Sequence, residues 1–89
     1  MADIDVLKIS VARNTYAPSF FAIKAKGYNI VVTEHEGDEY EEWSAEKDNR
    51  IFCATNPVEL LGVIAMWEVR GNDWRSNDDE YEEYKIIKA

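Results

Sequence analysis

The residues best able to do chemistry in this chain are His35, Cys53 and a large set of carboxylates. Nucleophilic catalysis needs a Ser, Cys or Thr beside a base, which is usually histidine. His35 is the sole histidine, and it stands between Glu34 and Glu36. Neighbouring carboxylates favour the imidazolium, which is a poor general base. Cys53 lies between Phe52 and Ala54 with no basic neighbour in sequence. It reads as a small buried hydrophobe, not as a reactive thiol. A single cysteine also excludes an intramolecular disulfide and a cysteine-rich metal site.

Paired carboxylates cleave glycosides only across a substrate cleft of defined width, and 89 residues leave little surface for one. Glu34, His35, Glu36, Asp38 and Glu39 form a dense group of oxygen and nitrogen donors. They lack the ordered Asp-x-Asp-x-Asp-Gly spacing of a calcium loop, and alternate strand residues point to opposite faces. Glu83-Tyr84-Lys85 matches the Glu-x-Lys fragment of metal-dependent nucleases. The upstream acidic partner and the hydrophobic strand of that motif are missing. The expectation is a non-catalytic chain without metal or cofactor, and a small metal-dependent enzyme is the weakest alternative.

Charge is the distinctive property. The chain carries 18 acids against 10 Lys and Arg, a formal net charge of −8. Fourteen of the 18 acids fall in two stretches, residues 34–48 and 73–83, whereas residues 1–33 carry Lys8, Arg13, Lys24 and Lys26 against Asp3 and Asp5. Nucleic acid and anionic membranes both need positive charge at the contact, so neither is an expected partner. Aromatic residues interleave with the acids: Tyr40 and Trp43 in the first stretch, Trp74, Tyr81 and Tyr84 in or beside the second. Trp and Tyr anchor protein interfaces, and negative potential speeds encounter with a basic protein. The candidate partner-binding residues are therefore Asp38, Glu39, Tyr40, Glu41, Glu42, Trp43, Trp74, Asp78, Asp79 and Glu80. The competing reading makes both stretches solvated faces whose aromatics turn inward, and Trp43 shares its face with Ala45.

The elements that position these residues follow from periodicity and punctuation. The length and a 46% hydrophobic content fit one domain over residues 1–89. Val6 to Ala12 alternates, with Leu7, Ile9 and Val11 on one face, as a half-buried strand does. Pro18 breaks that pattern. Ser19 to Lys26 and Tyr28 to His35 read as two strands joined around Gly27. Glu39 to Lys47 and Arg50 to Ala54 read as a further pair joined at Asp48-Asn49, since both residues tolerate the left-handed region. Asn56, Pro57 and Glu59 then open a helix that Gly71 closes. That helix is apolar around most of its circumference, with Leu60, Leu61, Ile64 and Trp67 on its deep face. Val63 and Met66 on the poorer face are candidates for a homodimer interface, and Gly62 suggests a close packing contact. Asn77 followed by Asp78, Asp79 and Glu80 starts a short C-terminal helix.

The fold expected is α+β: an antiparallel meander sheet of four or five strands, one well-capped helix over about 57–70, and a short helix at the C-terminus. No apolar run approaches the ~20 residues that span a bilayer, and the N-terminus lacks a signal-like pattern, so a cytoplasmic location is expected. The function expected is an acidic module that docks on and occludes a basic protein surface, as immunity proteins or nucleic-acid mimics do. The alternative is a homodimeric structural or regulatory chain.

Overall fold

A computed structural model describes residues 6–34, 37 and 41–89. His35, Glu36, Asp38, Glu39 and Tyr40 lie outside the described residues. The element order is α1 (Tyr16–Ala25, entered through a 3-10 turn at Arg13–Thr15), β1 (Asn29–Glu34), β2 (Glu41–Lys47), β3 (Arg50–Ala54), α2 (Pro57–Arg70) and α3 (Asp78–Lys88). The architecture is α+β. Among the described residues, however, the sheet has three antiparallel strands in the order β1-β2-β3, not the four or five expected.

Both strand readings upstream of β1 need correction. Ser19–Lys26 forms most of helix α1, not a strand. Ala22, Lys24 and Ala25 are strong helix formers, and Phe20 and Ile23 meet at i, i+3 spacing on the inner face. Pro18 is accommodated because it sits in the first turn, where backbone N–H groups have no intrahelical acceptor. Gly27, at φ 92°, ends this helix instead of turning a hairpin. The Lys47 ammonium donates to the Lys26 carbonyl at 2.7 Å, placing a cation on the negative end of α1. Residues 6–12 have the alternation of a strand but pair with no described strand, and they stand exposed ahead of α1.

The three strands keep the alternation expected of them, and their register follows. Ile30 pairs with Ala45 and Val32 with Trp43, while Ala45 faces Phe52 and Trp43 faces Ala54. Asp48 and Asn49 adopt φ of 51° and 63°, the two left-handed residues of a tight hairpin loop. Helix α2 begins on the Asn56 side chain, which accepts from the Glu59 amide at 2.9 Å, with Pro57 at the first position. Gly71 closes it at φ 75°.

Helices α1 and α2 lie side by side over one face of the sheet, and between them sits a small core. Ile23, Tyr28, Ala45, Leu60 and Ile64 are buried, with Ile30, Trp43, Phe52, Ala54 and Leu61 packed around them. An edge-to-face chain of rings runs through this layer, Phe20 on Trp43 and Tyr28 on Phe52, and Trp67 tilts against Phe52 at 5.7 Å. No described element covers the opposite face of the sheet: Val31, Ile51 and Cys53 are exposed there, so Cys53 is not the buried hydrophobe its neighbours suggested. The radius of gyration is 16.5 Å, against about 12 Å for a compact fold of this length. Neither residues 6–12 nor α3 contributes a buried residue.

Gly62 does not mark a close contact. A Cβ built there meets no atom within 4 Å, and the residue is exposed in mid-helix. Gly62→Ala is therefore expected to stabilise the fold by about 1 kcal/mol, since alanine removes backbone entropy from the unfolded chain without a clash. Thermal unfolding checks this: the midpoint should rise by roughly 4–8 °C, and a fall would show that something approaches this face closely.

Candidate functional site

The second acidic stretch becomes a structured surface because Arg70 holds it. At the last turn of α2, its guanidinium donates to both Glu80 carboxylate oxygens, at 2.8 and 3.1 Å. Arg70 Nε also donates to the Trp74 carbonyl at 2.7 Å. One side chain thus ties the linker 71–77 and the start of α3 back onto α2. Bidentate pairing of this kind fixes orientation as well as distance. Glu80 is shared with the helix cap: the Glu80 amide donates to Asn77 Oδ1 at 2.8 Å, and the Asn77 amide donates to Glu80 Oε1 at 3.0 Å. The Arg70 hydrogen bond, followed by that from the Asn77 amide, holds the Glu80 carboxyl below its ordinary range. The same contact raises Arg70 further.

This docking opens a groove of about 400 Å³ between α2 and α3, lined by Met66, Arg70, Trp74, Ser76, Glu80, Tyr81 and Tyr84. Its aromatics are open to solvent: Trp74 is 39% exposed, Tyr81 53% and Tyr84 54%. Tyr81 and Tyr84 stack at 6.0 Å, as expected one helical turn apart. Cations already rest on these rings, Arg75 over Trp74 at 4.5 Å and Lys85 over Tyr81 at 5.3 Å. Asp78 and Asp79 stand exposed in the first turn of α3, beside the groove. A second groove, about 490 Å³, lies across Met66 and Trp74 from the first, between α2 and the edge of β3. Ile51, Phe52, Cys53, Val63 and Trp67 complete its lining.

The structure therefore gathers Trp74, Asp78, Asp79 and Glu80 with Val63 and Met66 on one side of the molecule. Glu80 is engaged by Arg70 and Asn77, so its part there is to shape the surface. The described residues of the first acidic stretch lie elsewhere. Trp43 is half-buried, edge-on to Phe20, and lines an apolar groove of about 340 Å³ with Tyr16, Ala17, Phe20 and Pro57. Glu41 is exposed opposite Glu34 at the end of the β1–β2 ladder, and Glu42 is half-buried opposite Thr33. Asp38, Glu39 and Tyr40 fall outside the described residues.

Tyr81 and Tyr84, named above among the aromatics of the second acidic stretch, line the groove on one stripe of α3. Arg70 lines it as well, although the charge pattern did not select it. Cys53 sits at the exposed face of β3, and Glu83-Tyr84-Lys85 lies on a helix, not on the strand its motif requires. Among the described residues no three His, Cys, Asp or Glu side chains gather as a metal-binding group. No helix among them is long and apolar enough to cross a membrane. No family model matches the chain, and no curated protein or solved structure shows significant similarity to it.

Proposed function

We propose that the chain is a non-catalytic binding module that docks on a basic protein surface through the α2–α3 groove. The observation that carries this reading is the exposure of Trp74, Tyr81 and Tyr84 around one groove beside Asp78 and Asp79. Large rings lose little entropy on binding and bury much area, and they serve as anchors where a partner desolvates them. The carboxylates beside them favour a partner presenting Arg or Lys, whose guanidinium or ammonium can rest on a ring while pairing with an acid. A module of this charge would occlude a nucleic-acid-binding or otherwise cationic surface, as an immunity-type inhibitor or a nucleic-acid mimic does. The location in which it would meet that partner is the cytoplasm.

Affinity capture at low and moderate salt tests the reading, with the wild type, an Asp78→Asn/Asp79→Asn variant and a Glu41→Gln/Glu42→Gln variant. A basic protein should be retained by the wild type and the hairpin variant, weakened by salt and lost from the α3 variant. No retained basic protein, or equal retention by all three, would remove the support for this function. A second reading, self-association through Val63 and Met66, is favoured by the apolar groove beside β3.

A further inference from the structure

Two features of the fold lack a counterpart among the described residues. Residues 6–12 are patterned as a strand, yet Leu7, Ile9 and Val11 are 85%, 75% and 72% exposed. Strand β3 pairs with β2 on one side, and among the described residues its other edge is unpaired. Such an edge, with open N–H and C=O groups, is a template for strand addition. Beside it lies the apolar groove walled by Val63, Met66 and Trp67 of α2.

We propose that residues 6–12 of one copy of this chain add as a fourth strand along the β3 edge of a second copy, reciprocally. The pattern of the segment matches the site. With Leu7, Ile9 and Val11 turned toward α2, they fill the groove against Val63, Met66 and Trp67. Lys8 and Ser10 then fall on the outer face, beside Ile51 and Cys53. Charge agrees as well, because Lys8 and Arg13 are carried with no acid over residues 6–13, in a chain of net −8. The segment is attracted to the body of another copy.

A second copy is the donor because α1 sets the exit of the segment on the flank of α2 away from the groove. The segment leads directly into α1, whose start lies beside Pro57 and whose end is tied to α2 by Lys26–Glu68 at 2.9 Å. Pro57 and Glu68 mark one flank of α2, and Val63 and Met66 mark the other. The segment therefore leaves its own chain across α2 from the groove. A two-fold exchange delivers it without that crossing and closes both edges at once. Four aliphatic side chains, Val6 included, bring on the order of 400 Å² of apolar surface per strand. Two exchanged strands and the two edges they cover then reach the ~1,200–2,000 Å² of a stable interface.

Cys53 supplies the test, since it is exposed on the face where Lys8 and Ser10 would lie. Full-length chains carrying Ser10→Cys or Lys8→Cys are mixed in ¹⁴N and ¹⁵N forms, allowed to exchange and oxidised. Peptide mapping should find position 8 or 10 joined to Cys53 in mixed-isotope pairs, at the spacing adjacent strands provide. Ile9→Cys, on the inner face, should not join to Cys53. Sedimentation equilibrium of the wild type should show a dimer, and Ile9→Pro should weaken it about a hundredfold, because proline cannot donate to the new ladder. A chain that stays monomeric at every concentration would overturn the proposal. A dimer indifferent to Ile9→Pro, or a link to Cys53 confined within single chains, would do so equally. The two grooves share Met66 and Trp74, so the readings are separated by variants that touch neither residue: Ile9→Pro for strand addition, and Asp78→Asn/Asp79→Asn for capture of a basic partner.

Discussion

Leu60→Ala is expected to leave most of the population unfolded at physiological temperature. Leu60 is fully buried at the centre of a cluster of five, between Ile23, Ile64 and the sheet residue Ala45. Truncating such a leucine removes its transfer energy and leaves a cavity, together about 3–5 kcal/mol. A chain of this length has a total stability of roughly 4–13 kcal/mol, and so small a core argues for the lower part of that range. Ile64→Ala should behave alike, because Ile64 lies one turn on along the same face. Val69→Ala, at an exposed position of the same helix, should change stability by less than about 0.5 kcal/mol. Urea unfolding separates the cases: the midpoint should collapse for the buried positions and stay for the exposed one. A loss below about 1 kcal/mol at Leu60 would mean that the buried cluster does not hold the fold together.

Arg70→Ala is expected to free α3 while the sheet and α2 remain folded. The first turn of α3 is held to α2 by the Arg70–Glu80 pair, and the linker by the Arg70 bond to the Trp74 carbonyl. The helix itself has no buried residue to keep it in place. Eleven residues without tertiary support form at best a marginal helix in water. Amide hydrogen exchange should therefore lose protection over 78–88 and keep it over β1–β3 and α2. Unchanged protection at 78–88 would show that α3 is held by something else. The pH dependence follows from Glu80. Its folded carboxyl lies below its ordinary range, so its contribution is fully present above the unfolded carboxylate value. That contribution is lost as pH falls through the lowered folded value, and acid should release α3 before it unfolds the core. In Glu80→Gln the pH-dependent release should disappear.

How much of this was legible in the sequence depends on how local each signal is. The hairpin at Asp48-Asn49, the start of α2 at Asn56-Pro57 and the start of α3 at Asn77 are written in residues that adopt one local geometry well. Helix α1 was misread because Phe20, Phe21 and Ile23 suit a strand, and Pro18 stops a strand and enters a helix equally well. The difference lies in the i, i+3 meeting of Phe20 and Ile23 over Trp43 and the core, a tertiary fact. The alternation of residues 6–12 is legible, but no described strand lies beside it. Trp43 was ambiguous for a related reason, since β2 carries its acids on both faces and only packing decides which face is inner. Arg70 gave no local signal at all. A basic residue ending a helix is ordinary, and its part here depends on the linker turning back over seven residues to bring Glu80 within reach.

The aromatics around the α2–α3 groove are the proposed binding surface. The most direct measurement is the affinity of a captured basic partner for the wild type and for Trp74→Ala/Tyr84→Ala, at low and moderate salt. Anchor residues of this kind contribute 2 kcal/mol or more, so the double variant should bind at least about 30-fold more weakly, with salt weakening the wild type further. Equal affinity for both forms, unmoved by salt, would contradict the account and leave the groove as folded surface without a partner.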